Sequence, residues 1–283
     1  MAQPIRRKRT VKKNKPRFFG KWFLVVFSFF LILIIAISIY KFRDGFLYYL
    51  GFKTDKYANE LSADERKLAD IRIYEVLHKH DNKAIGFDVS EYQSEIDWEQ
   101  TYHIDEAFEL SFVFIRSTAG KDKIDSKFKE NWKAAKERQL IRGAYHYYRP
   151  NENSIEQAEN FIKTVRLQKG DLPPVLDIEK LPKSQSIDSL KVGLRRWLNK
   201  VEKHYKVKPI IYSGESYYTD FLKEEFSEYP LWIANYNFWR NDLESDWQFW
   251  QFTEKAQIEG IKGMVDVNIF NGDKNKLLLK CIR

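Results

Sequence analysis

Asp177-Ile178-Glu179 follows the apolar run Pro173-Pro174-Val175-Leu176. Side chains alternate faces along an extended strand, so Asp177 and Glu179 point the same way, one pleat apart. Two carboxylates on one face at the end of an apolar strand are costly to desolvate unless they are paired or used. Side by side they also push each other's pKa values apart, so that one holds a proton while the other stays ionised. That combination suits cleavage of a glycosidic bond. One group protonates the leaving oxygen, and the other supports the positive charge that develops on the sugar. Taken alone, an Asp-x-Glu tripeptide is more often a solvated loop start with a capping aspartate, so its meaning depends on the elements around it.

Those elements are short apolar or β-branched runs at Ala84–Ser90, Phe112–Thr118, Ile141–Tyr148, Leu172–Glu179 and Pro209–Ser213, followed by Leu231–Tyr236, Trp247–Thr253 and Ile261–Asn268. Helical spacing is clearest at Ile187, Leu190, Leu194, Trp197, Leu198, Val201 and Tyr205. Asp125–Gln139 and Ser154–Leu167 read as further helices, the second opening on a Ser154-x-x-Gln157 capping box. The gaps after Tyr236 and Thr253 show no helical pattern. Strands alternating with helices predict an α/β fold, a parallel barrel of the TIM type. It would be irregular, with eight strands, about five helices and loops joining the last three strands. Catalytic groups in such barrels sit at the C-terminal strand ends. Asp177 and Glu179 end the fourth strand, Asp88 lies near the end of the first, and Asp266 lies in the last. Closure brings the first and last strands together, so four carboxylates would meet at one mouth.

The net charge of +8 is localised. Arg6, Arg7, Lys8, Arg9, Lys12, Lys13, Lys15, Arg17 and Lys21 all fall within residues 1–21, which hold no acid. Subtracting those nine leaves the remainder near −1, which argues against nucleic-acid binding by the main domain. Trp22 to Tyr40 follows without a charge, 19 residues against the roughly 20 needed to cross a bilayer. The basic flank predicts a single-pass anchor with its N-terminus in the cytoplasm and the bulk of the chain outside, in the periplasm or on the wall side. The rival is a cleaved signal peptide at Ala36-Ile37-Ser38, although signal apolar regions are usually shorter, about 7–15 residues. Residues 41–83 read as a juxtamembrane stalk, aromatic at Phe46–Phe52 and helical from Ser62 to His80; residues 84–283 form the barrel domain. The sole cysteine, Cys281, has no partner in the chain, and the five histidines show no metal-site spacing. No phosphate-binding glycine loop appears, and carboxylate hydrolysis needs no cofactor.

The blocks Gly86-Phe87-Asp88-Val89-Ser90-Glu91-Tyr92-Gln93 and Ile96-Asp97-Trp98 resemble the opening of glycoside hydrolase family 25, lysozymes of the Chalaropsis (N,O-diacetylmuramidase) type. The resemblance runs on through Phe114-Ile115-Arg116-Ser117-Thr118, Gly143-Ala144-Tyr145-His146-Tyr147-Tyr148-Arg149-Pro150 and Pro174–Glu179. It continues in Ile211-Tyr212, Leu231-Trp232-Ile233-Ala234-Asn235-Tyr236, Trp250-Gln251-Phe252 and Val265-Asp266-Val267-Asn268, covering about residues 84–272. It implies a flattened eight-stranded barrel and hydrolysis of the β-1,4 bond from N-acetylmuramic acid to N-acetylglucosamine in peptidoglycan. Glu179 would be the general acid/base, with Asp177, Asp88 and Asp266 completing the site. Whether a carboxylate attacks directly or Asp177 orients the substrate's N-acetyl group stays open. Tyr147, Tyr212, Trp232, Tyr236, Gln251 and Arg116 are the expected substrate-binding residues, each as apt for packing as for binding. His146 fits a hydrogen-bonded barrel position better than a ligand. Two departures stand out: Thr118-Ala119-Gly120 replaces the common Thr-Glu-Gly, and Glu91 stands where His or another polar residue is usual. The alternatives are a chitinase-like N-acetylhexosaminidase and a non-catalytic peptidoglycan-binding protein.

Overall fold

The computed structural model describes residues 19–42 and 61–283; the basic tail up to residue 18 and the aromatic stretch Phe46–Phe52 lie outside the described residues. The chain divides into two compact units, Met1–Leu47 and Tyr48–Arg283. In the first, helix α1 (Phe19–Lys41) includes a stretch from Trp22 to Lys41 long and apolar enough to cross a membrane. Its side chains from Trp22 to Tyr40 are mostly exposed all round, the pattern of a helix that lipid rather than protein would cover.

Among the described residues, the first element of the second unit is α2 (Ala63–Lys79), started by a reciprocal capping box. Glu65 N–H donates to Ser62 Oγ at 3.3 Å, and Ser62 N–H donates to Glu65 Oε2 at 3.0 Å. A helix is thus present within the Ser62–His80 stretch where one was expected, and its buried face (Ala69, Arg72, Ile73, Val76, Leu77) packs within the barrel unit.

Eight strands close the barrel: β1 (Ile85–Val89), β3 (Phe108–Ala119), β5 (Ile141–Tyr147), β6 (Val175–Asp177), β7 (Ile210–Gly214), β8 (Leu231–Ala234), β9 (Trp247–Ala256) and β10 (Val265–Phe270). Two-residue strands β2 (His103–Ile104) and β4 (Lys123–Ile124) hang on β3 outside the ring. Closure comes from β1, which pairs with β3 on one side and β10 on the other. The expectation of a wholly parallel barrel fails at β10, which runs antiparallel to both neighbours. The reason is chain length. The 257–264 connection is too short for the crossover of a dozen or more residues that a parallel return requires.

Helices α3 (Phe128–Glu137), α4 (Ser154–Thr164) and α5 (Ile187–Tyr205) flank the barrel, with a short helical run over 215–226 and α6 (Lys274–Leu278) near the end. α5 buries Leu190, Leu194, Trp197, Leu198 and Val201, the stripe its sequence spacing announces. At α4 the cap differs from expectation. Asn153 is the N-cap, its Oδ1 accepting from the N–H groups of Ile155 (2.9 Å) and Glu156 (3.3 Å), and Ser154 is the first helical residue. Gln157 is drawn away to a longer-range partner set, accepting from Arg149 N–H at 2.9 Å and donating to Arg149 O at 3.0 Å.

The barrel interior is a plug of aromatic rings. Phe114 stacks on Trp232 with centroids 4.2 Å apart and meets Phe249 edge-on at 5.1 Å. Room for these rings comes from glycines at the paired positions. A Cβ on Gly86 would lie 2.4 Å from Phe112 O, and one on Gly143 would lie 2.5 Å from the Phe114 ring. Truncating a ring such as Phe114 to alanine would cost about 3–5 kcal/mol. This floor closes the barrel below the strand ends and leaves a cavity above it.

Candidate active site

The C-terminal ends of the parallel strands form the rim of that cavity. Asp88 is near the end of β1 and Asp177 ends β6. Glu179 lies just past the strand, yet its placement still follows strand alternation. Ile178 between the two acids is fully buried, its N–H donating to Tyr212 O at 3.0 Å and its O accepting from Ser213 Oγ at 2.7 Å. Those bonds carry the register one residue beyond the strand, so Asp177 and Glu179 both face the cavity. Asp266 arrives by a different route. Because β10 is reversed, its start, not its end, lies at the mouth, and Asp266 stands opposite Asp88 in the register.

All four acids, together with Tyr147, Tyr212, Trp232, Tyr236, Gln251 and Arg116, line one cavity of about 230 Å³. Glu179, Tyr212, Tyr236 and Glu254 also border a wider recess of about 610 Å³, whose other walls include Glu215, Tyr217, Asn235 and Asn237. Sharing those four residues, the two spaces adjoin and form one cleft.

The carboxyls are unequal. Asp88 is buried, and Oδ2 accepts from Gln251 Nε2 at 2.7 Å and Asn268 Nδ2 at 2.8 Å. Burial pushes its pKa up to about 7, against the opposing pull of the two amide donors and with a push from Glu179. Asp177 is held well above the usual carboxylate range, first by burial and then by the Glu179 and Asp88 carboxylates; its Oδ1 is buried with no hydrogen-bond partner. Asp266, more open, is raised by desolvation, Asp88, Glu254 and Glu179 in that order. Glu179 itself is exposed to the cleft. A buried acid that favours its proton beside an exposed acid with reach is an arrangement for proton transfer.

Gln251 organises the remainder. Its Nε2 serves Asp88, while its Oε1 accepts from Tyr212 Oη at 2.7 Å and from Tyr236 Oη. Trp232 is almost wholly buried and donates Nε1–H to Asn268 Oδ1 at 2.8 Å, so it forms floor rather than an open stacking face. Arg116 reaches the cavity with its guanidinium engaged, Nε to Asp125 Oδ2 at 2.8 Å and Nη2 to Glu91 Oε1 at 3.0 Å, 4.5 Å from the centre of the Tyr92 ring. Tyr147 faces the cavity and Tyr148 is buried on the other side. His146 is buried and hydrogen-bonded to Thr118 Oγ1 (2.7 Å) and Gln157 Oε1 (3.2 Å), and burial lowers its pKa to about 3.

Among the residues that sequence reasoning missed are Asn268, a buried donor to Asp88, and Glu254, which lines the cavity. Asn268 lies two residues after Asp266, so strand alternation alone would have put it on the same face. Glu254 could not be found that way. It is three residues from Gln251 and so of opposite parity, but register shifts between β9 and β10 on both sides of Val267 turn both toward the cavity. Among the described residues no group of three or more His, Cys, Asp or Glu is placed to hold a metal ion.

A closed eight-stranded barrel with four acids at one mouth is an arrangement suited to a glycoside hydrolase. The profile of Glycosyl hydrolases family 25 matches residues 87–261, and the chain belongs to that family. It is similar to the YegX protein of Escherichia coli K12, 42% identical over 194 residues that cover 68% of this chain and 71% of that one. It is also 32% identical to lysozyme M1 of Streptomyces globisporus over 208 residues, covering 68% of this chain and 69% of that one. A solved family 25 glycosyl hydrolase from Bacillus anthracis superposes with a TM-score of 0.63 at 29% identity, over 71% of this chain and 95% of that chain.

Proposed function

We propose that the protein is a membrane-anchored muramidase of the Chalaropsis type, hydrolysing the β-1,4 bond between N-acetylmuramic acid and N-acetylglucosamine in peptidoglycan strands. The observation that carries this is the convergence of Asp88, Asp177, Glu179 and Asp266 on one cavity that opens into a cleft. The similarity to a protein named as a lysozyme supports the substrate class. In this mechanism Glu179, exposed to the cleft, is the acid that protonates the leaving oxygen, and the buried Asp177, held above the usual carboxylate range by burial and by Glu179, stands beside it. Asp177, one pleat from Glu179, orients the substrate's acetamido group, whose oxygen attacks the anomeric carbon as the glycosidic bond breaks and its oxygen takes the proton of Glu179; water then opens the cyclic intermediate and gives a proton back to Glu179. Asp88 and Asp266 line the opposite wall, and Tyr147, Tyr212 and Tyr236 supply ring faces and hydroxyls for the sugars.

In the same proposal residues 84–283 are the catalytic domain, 22–40 the membrane span, 1–21 the cytoplasmic tail and 41–83 the connecting segment. The span's basic flank supports an N-in orientation with the barrel on the wall side. The test is digestion of purified peptidoglycan and of chitin oligomers side by side, with mass analysis of products. New reducing ends at muramic acid are expected. Cleavage of chitin in preference to peptidoglycan would replace the substrate assignment, and binding without cleavage would remove the enzymatic mechanism.

A further inference from the structure

Helix α2 lies outside the stretch 87–261 that the family profile spans, yet its contacts run to the cleft. Arg72, near its middle, is fully buried. Its Nη1 donates to Asn241 Oδ1 at 3.0 Å, and its Nη2 donates to Asn237 O at 3.2 Å and to Arg240 O. The guanidinium also lies 5.7 Å from the centre of the Trp250 ring. At the helix end, His80 Nε2 is 2.9 Å from Asn241 O, and Lys79 pairs with Asp242 at 2.8 Å. At the helix start, Arg66 Nη1 donates to Lys255 O at 2.8 Å, beside Glu254.

The segment gripped in this way connects β8 to β9, and it is a wall of the cleft. Asn235, Tyr236 and Asn237 line the wider recess, and Tyr236 Oη donates to the same Gln251 that holds Asp88. On the cleft side Glu215 accepts from Asn235 Nδ2 and pairs with Arg240 at 3.2 Å. The wall therefore stands between Glu215 in front and α2 behind. A connection without ladder partners leaves buried carbonyls to be satisfied by side chains, and a guanidinium is the side chain that can serve several fixed acceptors at once.

We infer that α2 is a brace for the cleft wall, and that Arg72 is a positioning residue for glycan binding, acting through residues 235–242 rather than by touching substrate. The inference rests on the reading of the cleft as a glycan site. Holding that wall matters because binding subsites lose affinity when their loop populates other conformations.

The test uses the full-length chain in detergent micelles. Arg72→Met keeps a long stem against Trp250 and removes the donors. The expected result is a KM for glycan strands raised about tenfold with kcat within about threefold, the split that marks lost ground-state binding. Arg72→Lys, which keeps a charge and fewer directed donors, is expected to recover part of the loss. Ile73→Ala, on the same helix with no polar contact to the wall, should lower thermal stability and leave KM unchanged. Hydrogen exchange gives an activity-independent readout: in Arg72→Met it should rise across 235–242 and not in α5. If Arg72→Met fails to fold, Asn241→Ala takes its place, with a smaller shift in the same direction. Unchanged KM and unchanged exchange in the variant would overturn the brace, as would an equal KM change in Ile73→Ala. A wild-type protein that cleaves no glycan would instead overturn the muramidase proposal, leaving the exchange pattern to decide the brace.

Discussion

The mouth and the adjoining rim of this barrel both contain buried or half-buried acids, and the two sets behave in opposite ways. At the mouth, Asp88, Asp177 and Asp266 face one another and Glu179, and each is held above the usual carboxylate range. At the rim, Glu91 sits among Lys123, Arg116 and Ser126, and its pKa is lowered to about 2, with the Lys123 bond the leading cause. Loss of water is the leading cause at the mouth, whereas at the rim it is outweighed by hydrogen bonds and cations. Company adds to this: cations and donors surround Glu91 at the rim, and other acids face the mouth carboxyls. Rim acids of this kind hold structure, whereas mouth acids store protons at some cost to stability.

Substitutions can test that division. Glu179→Gln is expected to lower kcat by about 10²–10⁴-fold with fold and glycan binding retained, because the amide cannot deliver a proton. Hydrolysis within a factor of about ten of wild type would take the acid role from Glu179. Asp177→Asn and then Asp266→Asn should follow, each lowering kcat more than KM rises, with Asp177 the more damaging. Steady-state kinetics on solubilised glycan strands measures both. An unchanged pair of parameters would make that residue a structural carboxyl.

The third test is thermodynamic. Asp88 binds its proton more tightly in the folded state, with a pKa of about 7 against an ordinary 3.8. Between those values the folded protein carries the extra proton, so stability is full below about pH 4 and is lost as pH rises through about 7. The total is up to about 4 kcal/mol at 1.36 kcal/mol per unit. Asp88→Asn lacks this dependence, so melting curves at pH 4 and pH 8 should show the variant gaining on wild type at the higher pH. A constant difference would place Asp88 among the ionised acids. The smallest effect is expected at the rim. Glu91→Gln should cost about 1 kcal/mol near neutral pH, and the gap to wild type should close as pH falls from about 4.5 toward 2, where the native carboxylate takes up its proton. Denaturant melts at pH 6 and pH 2.5 would show it, and a loss of activity as large as that of Asp177→Asn would erase the distinction between rim and mouth.

Much of this architecture is written in local pattern. The two-residue period put Asp177 and Glu179 on one face, and strand ends picked out Asp88. The 3.6-residue spacing of Leu190, Leu194, Trp197, Leu198 and Val201 marked the buried stripe of α5. The charge-free stretch after a basic tail marked α1. Such features depend only on which face a side chain takes relative to its near neighbours, and any segment of the right period carries that information by itself.

Other decisions needed the closed barrel. The direction of β10, which brings Asp266 to the mouth by its start, follows from how the chain returns to β1. Shifted register along β9 turns Glu254 inward against its parity. Trp232, as apt in sequence for packing as for binding, stacks on Phe114 and donates to Asn268 while lining the cavity floor. Gln251 and Asn268 become the donors that hold Asp88 only across separations of 163 and 180 residues. The sequence alone determined the elements, their buried faces and the four acids. Tertiary structure alone decided which acids are dry, which side chains are already engaged and which wall needs a brace, because desolvation and hydrogen-bond competition depend on neighbours that only folding brings together.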